Sequence, residues 1–102
     1  KPRQQDDEEE ETMAIAMMVD NPEGSQEIYE AVREKAGMDR PAGGIFHVAG
    51  PSPNGGWRVI ELWESEEDAK RFVKERLRPA FEAVGASLTS RPEFWPVHNY
   101  MR

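Results

Sequence analysis

Two histidines are the residues of this sequence best suited to acid–base chemistry. His47 lies inside an apolar run, and His98 comes directly before Asn99 near the end of the chain. An imidazole exchanges protons near neutral pH, so His47 is a candidate base and His98 a candidate ligand-binding residue. The alternative is structural, with His47 as a hydrogen-bonded histidine of the core or an interface. His98 would then bond a neighbouring loop or subunit.

A carboxylate lies in an apolar setting in the same half of the chain. Glu61 alternates with Val59 and Trp63 in a β-like run, so the three side chains are expected to share one face. A carboxylate between apolar neighbours is costly unless it is paired. Glu61 is therefore either a catalytic base or one half of a salt bridge. Arg58, on the opposite face, is a possible partner from a second copy of the chain.

Aromatic side chains are candidates for lining a binding pocket, although in a thin core they are more often simply packed. The sequence contains no cysteine, which excludes disulfides, thiolate nucleophiles and cysteine-bound zinc. Neither the spacing of a metal site nor that of a phosphate-binding loop is present. We therefore expect no cofactor and no metal. The candidate substrate-binding residues are Trp57, Trp63, Phe72, Tyr100 and His98.

Hydrophobic periodicity and turn residues divide the chain into six main elements. Ser25 and Ser65 are expected to cap the two helices. Pro79 is expected to end or kink the second helix near Arg78. The predicted strands are 12–19, 44–50, 57–63 and 93–101, and the predicted helices are 25–36 and 65–78, with a short further segment at 80–84.

This order, β-α-β-β-α-β, is that of a ferredoxin-like α+β domain with a four-stranded antiparallel sheet. Right-handed crossovers place strands 1 and 3 in the centre. Pro96 cannot donate to a β-ladder, which places strand 4 at an edge. We expect residues 13–102 to form this single domain and residues 1–12 to be a disordered acidic tail.

Two helices can cover only one face of such a sheet. Strand 1 is apolar on both faces, and strand 3 carries Ile60 and Leu62 on the face opposite Val59. An exposed apolar face of that size favours association. We therefore expect a homodimer that joins two sheets into a dimeric α+β barrel.

The charge balance excludes several partners. The chain has 102 residues and a net charge of −7, and six acidic residues lie together at positions 6–11. No basic surface of the kind that binds nucleic acid is expected, and an anionic membrane would repel this chain. No apolar run approaches the length of about 20 residues that spans a bilayer. A cytoplasmic location is the expectation.

Several stretches of the sequence resemble small bacterial proteins of the dimeric α+β barrel superfamily, those grouped as antibiotic biosynthesis monooxygenase-like. The resemblance covers roughly residues 13–101. It implies a cavity between each sheet and its helices that takes flat, hydrophobic molecules. The stretches that carry it are Phe46–Pro51, Gly56–Glu67, Phe72, Arg76–Ala80 and Pro96–Asn99.

The resemblance also implies a choice of reactions. Some relatives oxidise polycyclic aromatic substrates without metal or flavin, whereas others degrade haem. The haem-degrading branch uses an asparagine on strand 1, a tryptophan in the sheet and a histidine on helix 2. In this sequence the predicted strand 1 has no asparagine before its end and helix 2 has no histidine, whereas Trp57 or Trp63 could match the tryptophan.

Three hypotheses follow from these observations. The leading one is a small-molecule-binding dimer, with His47 as the base of a cofactor-independent monooxygenase-like enzyme that acts on an aromatic or polyketide-like substrate. The second is a non-catalytic module for dimerisation or ligand binding. The third is an isomerase- or lyase-type proton-transfer enzyme on the same scaffold.

Overall fold

The computed structural model describes residues 14–101. The predicted acidic tail at 1–12 lies outside the described residues, as does the start of the first predicted strand. The described chain runs in the order β-α-β-β-α-β, with the second helix divided into three segments. The elements are β1 (Ile15–Asn21), α1 (Gln26–Ala36), β2 (Gly44–Pro51), β3 (Trp57–Trp63), α2 (Glu66–Phe72), a π-helical segment (Val73–Leu77), α3 (Arg78–Val84) and β4 (Glu93–Pro96).

The four strands form one antiparallel sheet in the order β2-β3-β1-β4. This confirms the predicted fold class and the central places of β1 and β3. β1 is longer at its end than predicted, because Asp20 and Asn21 still pair with β3 and the strand stops only before Pro22. The prediction that β4 reaches Met101 is wrong, since the strand ends at Pro96, which has no N–H to donate.

Helix α1 begins where the sequence predicts. The Ser25 hydroxyl accepts a hydrogen bond from the Ile28 N–H at 3.1 Å. The helix ends at Gly37, whose positive φ of 102° favours glycine. This short, well-defined helix carries Tyr29 and Val32 towards the sheet, where they line the cavity described below.

The second helix does not end at its proline. Ser65 caps it as predicted, with the Asp68 N–H donating to its hydroxyl at 3.1 Å. The helix then widens through the π-helical segment, where the Arg78 N–H bonds the Val73 carbonyl, five residues back. Pro79 lacks an N–H and would crowd the carbonyl four residues before it in a regular α-helix. The wider turn accommodates the ring, so the helix continues to Val84. We call α2, the π-helical segment and α3 together the composite helix.

The two faces of the sheet have different surroundings. The inner face packs on the helices, and its core contains Met17, Val19 and Trp63 together with Ala69 and Val73 of the composite helix. We call the other side the outer face. It carries large apolar side chains that the described chain leaves exposed, and these are Phe46, Val48 and Trp95. Met18, Ile60 and Leu62 lie half-buried among them. The helices therefore cover one face only.

Candidate functional site

A cavity of about 500 Å³ lies between the inner face of the sheet, α1 and the composite helix. This volume falls in the range of about 300–1,000 Å³ that is typical of small-molecule sites. Most of its wall is apolar. The apolar part of the lining includes Met17, Val19, Ile28, Val32, Phe72 and Phe81.

His47 and Glu61 meet on the wall of this cavity. They are direct partners in the antiparallel pairing of β2 with β3, and partners across a ladder point to the same face. The His47 Nδ1 lies 2.8 Å from the Glu61 Oε2. The carboxylate is well shielded, since Glu61 is only 8% exposed. Its other oxygen accepts a hydrogen bond from the Trp63 Nε1–H at 3.0 Å.

Tyr29 completes this cluster. Its hydroxyl oxygen lies 2.6 Å from the His47 Nε2. Its ring stacks on the imidazole with centroids 5.9 Å apart and packs against Trp57 at 5.7 Å. The sequence gives only one sign of Tyr29, its place beside the apolar stripe of α1. That stripe does not tell which strand the residue reaches.

We call this hydrogen-bonded chain the Tyr29–His47–Glu61 relay. Burial raises the pKa of Tyr29, and the charges of Glu30 and Glu61 raise it further while Arg33 lowers it. The phenol therefore keeps its proton at neutral pH and can donate it to Nε2. In the neutral imidazole, this network assigns the ring proton to Nδ1, which donates to Glu61.

The shifted pKa of Tyr29 predicts how it responds to alkali. The folded state favours the neutral phenol, so its stabilising contribution is present below the pKa of an unfolded tyrosine, about 10. That contribution is lost as the pH rises through the higher pKa of the folded state. The ultraviolet absorbance of tyrosinate, measured in the wild type and in Tyr29→Phe, gives the titration of Tyr29 by difference. A difference curve centred at or below the ordinary tyrosine value would contradict the prediction.

The structure separates the predicted site residues into two groups. His47, Glu61, Trp57, Trp63 and Phe72 all line the cavity. The Trp63 and Phe72 rings pack at 5.2 Å between centroids. His98 and Tyr100 follow β4 and are not among the residues that line the cavity. His98 is exposed there and Tyr100 is half-buried, so the predicted binding roles of these two stay predictions.

Two residues of the cavity lining carry buried polar atoms without partners. Asn21 and Trp57 are paired across β1 and β3, and both are among the residues that line the cavity. The Asn21 Oδ1 and the Trp57 Nε1 have almost no accessible surface, and neither has a hydrogen-bond partner among the described residues. Buried polar atoms without partners are uncommon in folded proteins.

Arg58 has a partner within its own chain, rather than Glu61 of a second copy. It forms a two-pronged ion pair with Asp20 on the neighbouring strand, at 2.7 Å and 3.1 Å. Hydrogen bonds from Arg58 hold the pKa of the Asp20 carboxyl below its ordinary value. Glu61 instead pairs with His47, within the same chain. The salt-bridge alternative for Glu61 thus takes the form of a histidine–carboxylate contact.

Residues 14–101 contain no group of three or more His, Asp or Glu side chains arranged to hold a metal ion. In the same part of the chain, no helix is both long enough and apolar enough to cross a membrane.

Comparison with solved structures gives proteins of the same fold. SnoaB, a cofactor-independent oxygenase from Streptomyces nogalater, aligns with a TM-score of 0.61 at 15% identity, over 88% of this chain and 97% of its own. A candidate antibiotic biosynthesis monooxygenase from Caulobacter crescentus CB15 aligns with a TM-score of 0.56 at 13% identity, over 96% and 99%. A conserved protein from Methanosarcina mazei Go1 gives 0.57 at 12% identity, over 88% and 96%.

The chain has the fold of the antibiotic biosynthesis monooxygenase-like proteins. This confirms the resemblance seen in the sequence and the α+β architecture inferred from it. No family model and no curated protein sequence gives a significant match to the chain. At identities of 15% and below, the antibiotic biosynthesis monooxygenase-like fold does not transfer a substrate or a reaction.

Proposed function

We propose that the protein binds a flat, hydrophobic small molecule in the cavity and acts on it as a cofactor-independent monooxygenase-like enzyme. The observation that carries this proposal is the contact between His47 and Glu61 on the wall of a largely apolar cavity, where the His47 side chain is 41% exposed. A shielded carboxylate that orients an imidazole is the arrangement that general-base catalysis uses. One of the proteins with this fold is named as a cofactor-independent oxygenase, which supports the choice of reaction.

The proposed reaction uses the substrate itself as the reductant. A carbon acid R₂CH₂ in the cavity loses a proton to the Tyr29–His47–Glu61 relay. It becomes a carbanion that is stabilised by its ring system. The carbanion adds O₂, and the resulting peroxide anion takes the proton back to give R₂CH–OOH. Loss of water yields R₂C=O. One oxygen atom enters the product and the other leaves as water, so no external electron donor is needed.

The geometry gives each residue a distinct part in this step. Glu61 would hold the imidazole in one orientation and stabilise the imidazolium that forms when the ring takes a proton. Trp57, Trp63 and Phe72 would position the flat substrate by ring contacts. The placement of an acid–base pair in an unfilled cavity favours chemistry over a module that serves assembly alone. An isomerase or lyase would use the same first step, so it is the second candidate.

Oxygen uptake separates these two reactions. Anthrone is a suitable probe, because it is flat and tricyclic and its central CH₂ is acidic. The proposal expects the protein to convert anthrone to anthraquinone while consuming one O₂ per anthrone. Proton exchange at the CH₂ without oxygen uptake would favour the isomerase or lyase. Bound anthrone that neither exchanges protons nor consumes oxygen would leave only a binding module.

We further propose that the outer face joins two copies of the chain, in the cytoplasm. Phe46, Val48 and Trp95 are each more than two-fifths exposed on this face. Met18 and Ile60 lie beside them, which makes the patch continuous across all four strands. Contiguous apolar surface of this kind marks association sites. A second copy of the same face, related by a two-fold axis, would cover this patch with a surface of the same polarity.

Val48→Lys tests the dimer by placing a charge within this patch. Val48 is 44% exposed, so a lysine there fits the single chain, but a two-fold interface would bury two ammonium groups. We expect the variant to sediment as a monomer where the wild type sediments as a dimer. Ala83→Lys, an exposed position on α3, adds the same charge away from the patch and should leave the dimer intact. A monomeric wild type would overturn this proposal.

A further inference from the structure

Both ring nitrogens of His47 are already engaged. Nδ1 lies 2.8 Å from the Glu61 carboxylate, and Nε2 lies 2.6 Å from the Tyr29 hydroxyl. A base needs a free lone pair within hydrogen-bond distance of the proton that it removes. In this arrangement the imidazole has no lone pair left for a molecule in the cavity. The base of the proposed function therefore requires either a movement of Tyr29 or its participation.

Tyr29 is well held in its present position. Its ring contacts His47 on one side and Trp57 on another, with centroid distances of 5.9 Å and 5.7 Å. The residue lies in the middle of α1 rather than on a loop, and it lines the cavity. A phenol oxygen has two lone pairs, and donating its proton to Nε2 leaves both of them available. The group of the relay that faces a bound molecule is thus the Tyr29 oxygen.

We propose that Tyr29 is the residue that takes the proton from the substrate, with His47 and Glu61 acting behind it. This inference rests on the proposed function. As the substrate gives its proton to the Tyr29 oxygen, the phenol gives its own proton to the His47 Nε2. The products are a substrate anion, a neutral phenol and an imidazolium paired with the Glu61 carboxylate. Two protons move, and the net charge of the site with its substrate is unchanged.

The charges around Tyr29 fit this exchange. Burial raises the pKa of Tyr29 and so disfavours a lasting phenolate, while the charge of Arg33 acts in the opposite direction. The charges of Glu30 and Glu61 add to the effect of burial. A concerted exchange avoids the phenolate, because the phenol never loses one proton without gaining the other. Arg33 lines the same cavity, where its positive charge can stabilise the substrate anion. The substrate class is therefore a neutral carbon or oxygen acid on a flat ring system that becomes an anion in the site.

Tyr29→Phe tests this inference, since it removes the hydroxyl and keeps the ring that packs on His47 and Trp57. With anthrone and oxygen, we expect kcat to fall by roughly 10²-fold or more while KM stays within about threefold. The wild-type kcat should fall in D₂O, which labels the Tyr29 hydroxyl, and also with anthrone carrying a CD₂ group, which labels the substrate proton. The residual rate of Tyr29→Phe should respond to the substrate label alone. Thr89→Val, which removes an exposed hydroxyl outside the cavity, is the matched control.

The possible outcomes distinguish the inference from the proposed function. A Tyr29→Phe variant with the wild-type kcat would show that His47 acts directly, which overturns the role of Tyr29 and leaves the proposed function standing. A wild-type kcat that does not change in D₂O would do the same. A rise in KM alone would make Tyr29 a binding residue and also overturn the inference. A wild type that neither oxidises anthrone nor exchanges its CH₂ protons would overturn both.

Discussion

Glu61→Gln is expected to lower turnover by roughly 10²–10⁴-fold, although it replaces only one carboxylate oxygen of the side chain by an NH₂ group. The Trp63 Nε1–H needs an acceptor, so the amide oxygen of the new residue faces Trp63 and its NH₂ faces the His47 Nδ1. The Nδ1 must then accept, which moves the ring proton to Nε2. A protonated Nε2 cannot take a proton from Tyr29, and the imidazolium also loses its counter-charge.

The tautomer of His47 can be read independently of activity. Long-range ¹H–¹⁵N spectra should place the ring proton on Nδ1 in the wild type and on Nε2 in Glu61→Gln. Glu64→Gln, at an exposed position just after β3, makes the same chemical change and should alter neither turnover nor tautomer. A Glu61→Gln variant with wild-type turnover would contradict the role given to the carboxylate.

His47→Ala is expected to abolish turnover and leave the dimer intact. The substitution removes the acceptor for the Tyr29 proton and leaves Glu61, 8% exposed, with Trp63 as its remaining partner. Losing these contacts should also cost about 1–3 kcal/mol in the free energy of unfolding. Turnover, chemical denaturation and sedimentation should therefore be measured on the same preparation.

An exposed residue outside the cavity provides the control. Arg91 lies in the loop before β4 and does not line the cavity, so Arg91→Ala should keep wild-type turnover and stability. His47→Gln keeps a polar side chain at this position. A folded His47→Gln variant without turnover would show that the loss of activity does not come from poor folding. If His47→Ala kept full activity in a folded dimer, the assignment of His47 to the base would have to be withdrawn.

The fold was largely predictable because its signals are local. Apolar runs bounded by turn residues located the four strands, and the serines at 25 and 65 marked where the helices begin. The errors lie where pairing decides the outcome. Asp20 and Asn21 extend β1 because β3 continues beside them, and the residues after Pro96 leave the sheet. The π-helical turn before Pro79 depends on packing, which periodicity does not contain.

The site was predictable only in part, because its contacts also depend on strand pairing and on packing. Alternation on β3 placed Glu61 on the face of Trp63, and the structure agrees. The contact between Glu61 and His47 depends on the register of the β2–β3 hairpin, including the irregularity between Gly44 and Phe46. A one-residue change in register would send His47 to the outer face. Tyr29 enters the site through the packing of α1 on the sheet, which the sequence does not fix.

Rapid mixing with anthrone in the absence of oxygen isolates proton removal from the oxygen chemistry. We expect the wild type to bind anthrone and to produce the absorbance of its coloured anion at neutral pH. That absorbance should be missing in His47→Ala and unchanged in Arg91→Ala. Anthrone that occupies the wild-type cavity and stays neutral, with no exchange of its CH₂ protons, would show that the cavity does not remove a proton from its ligand.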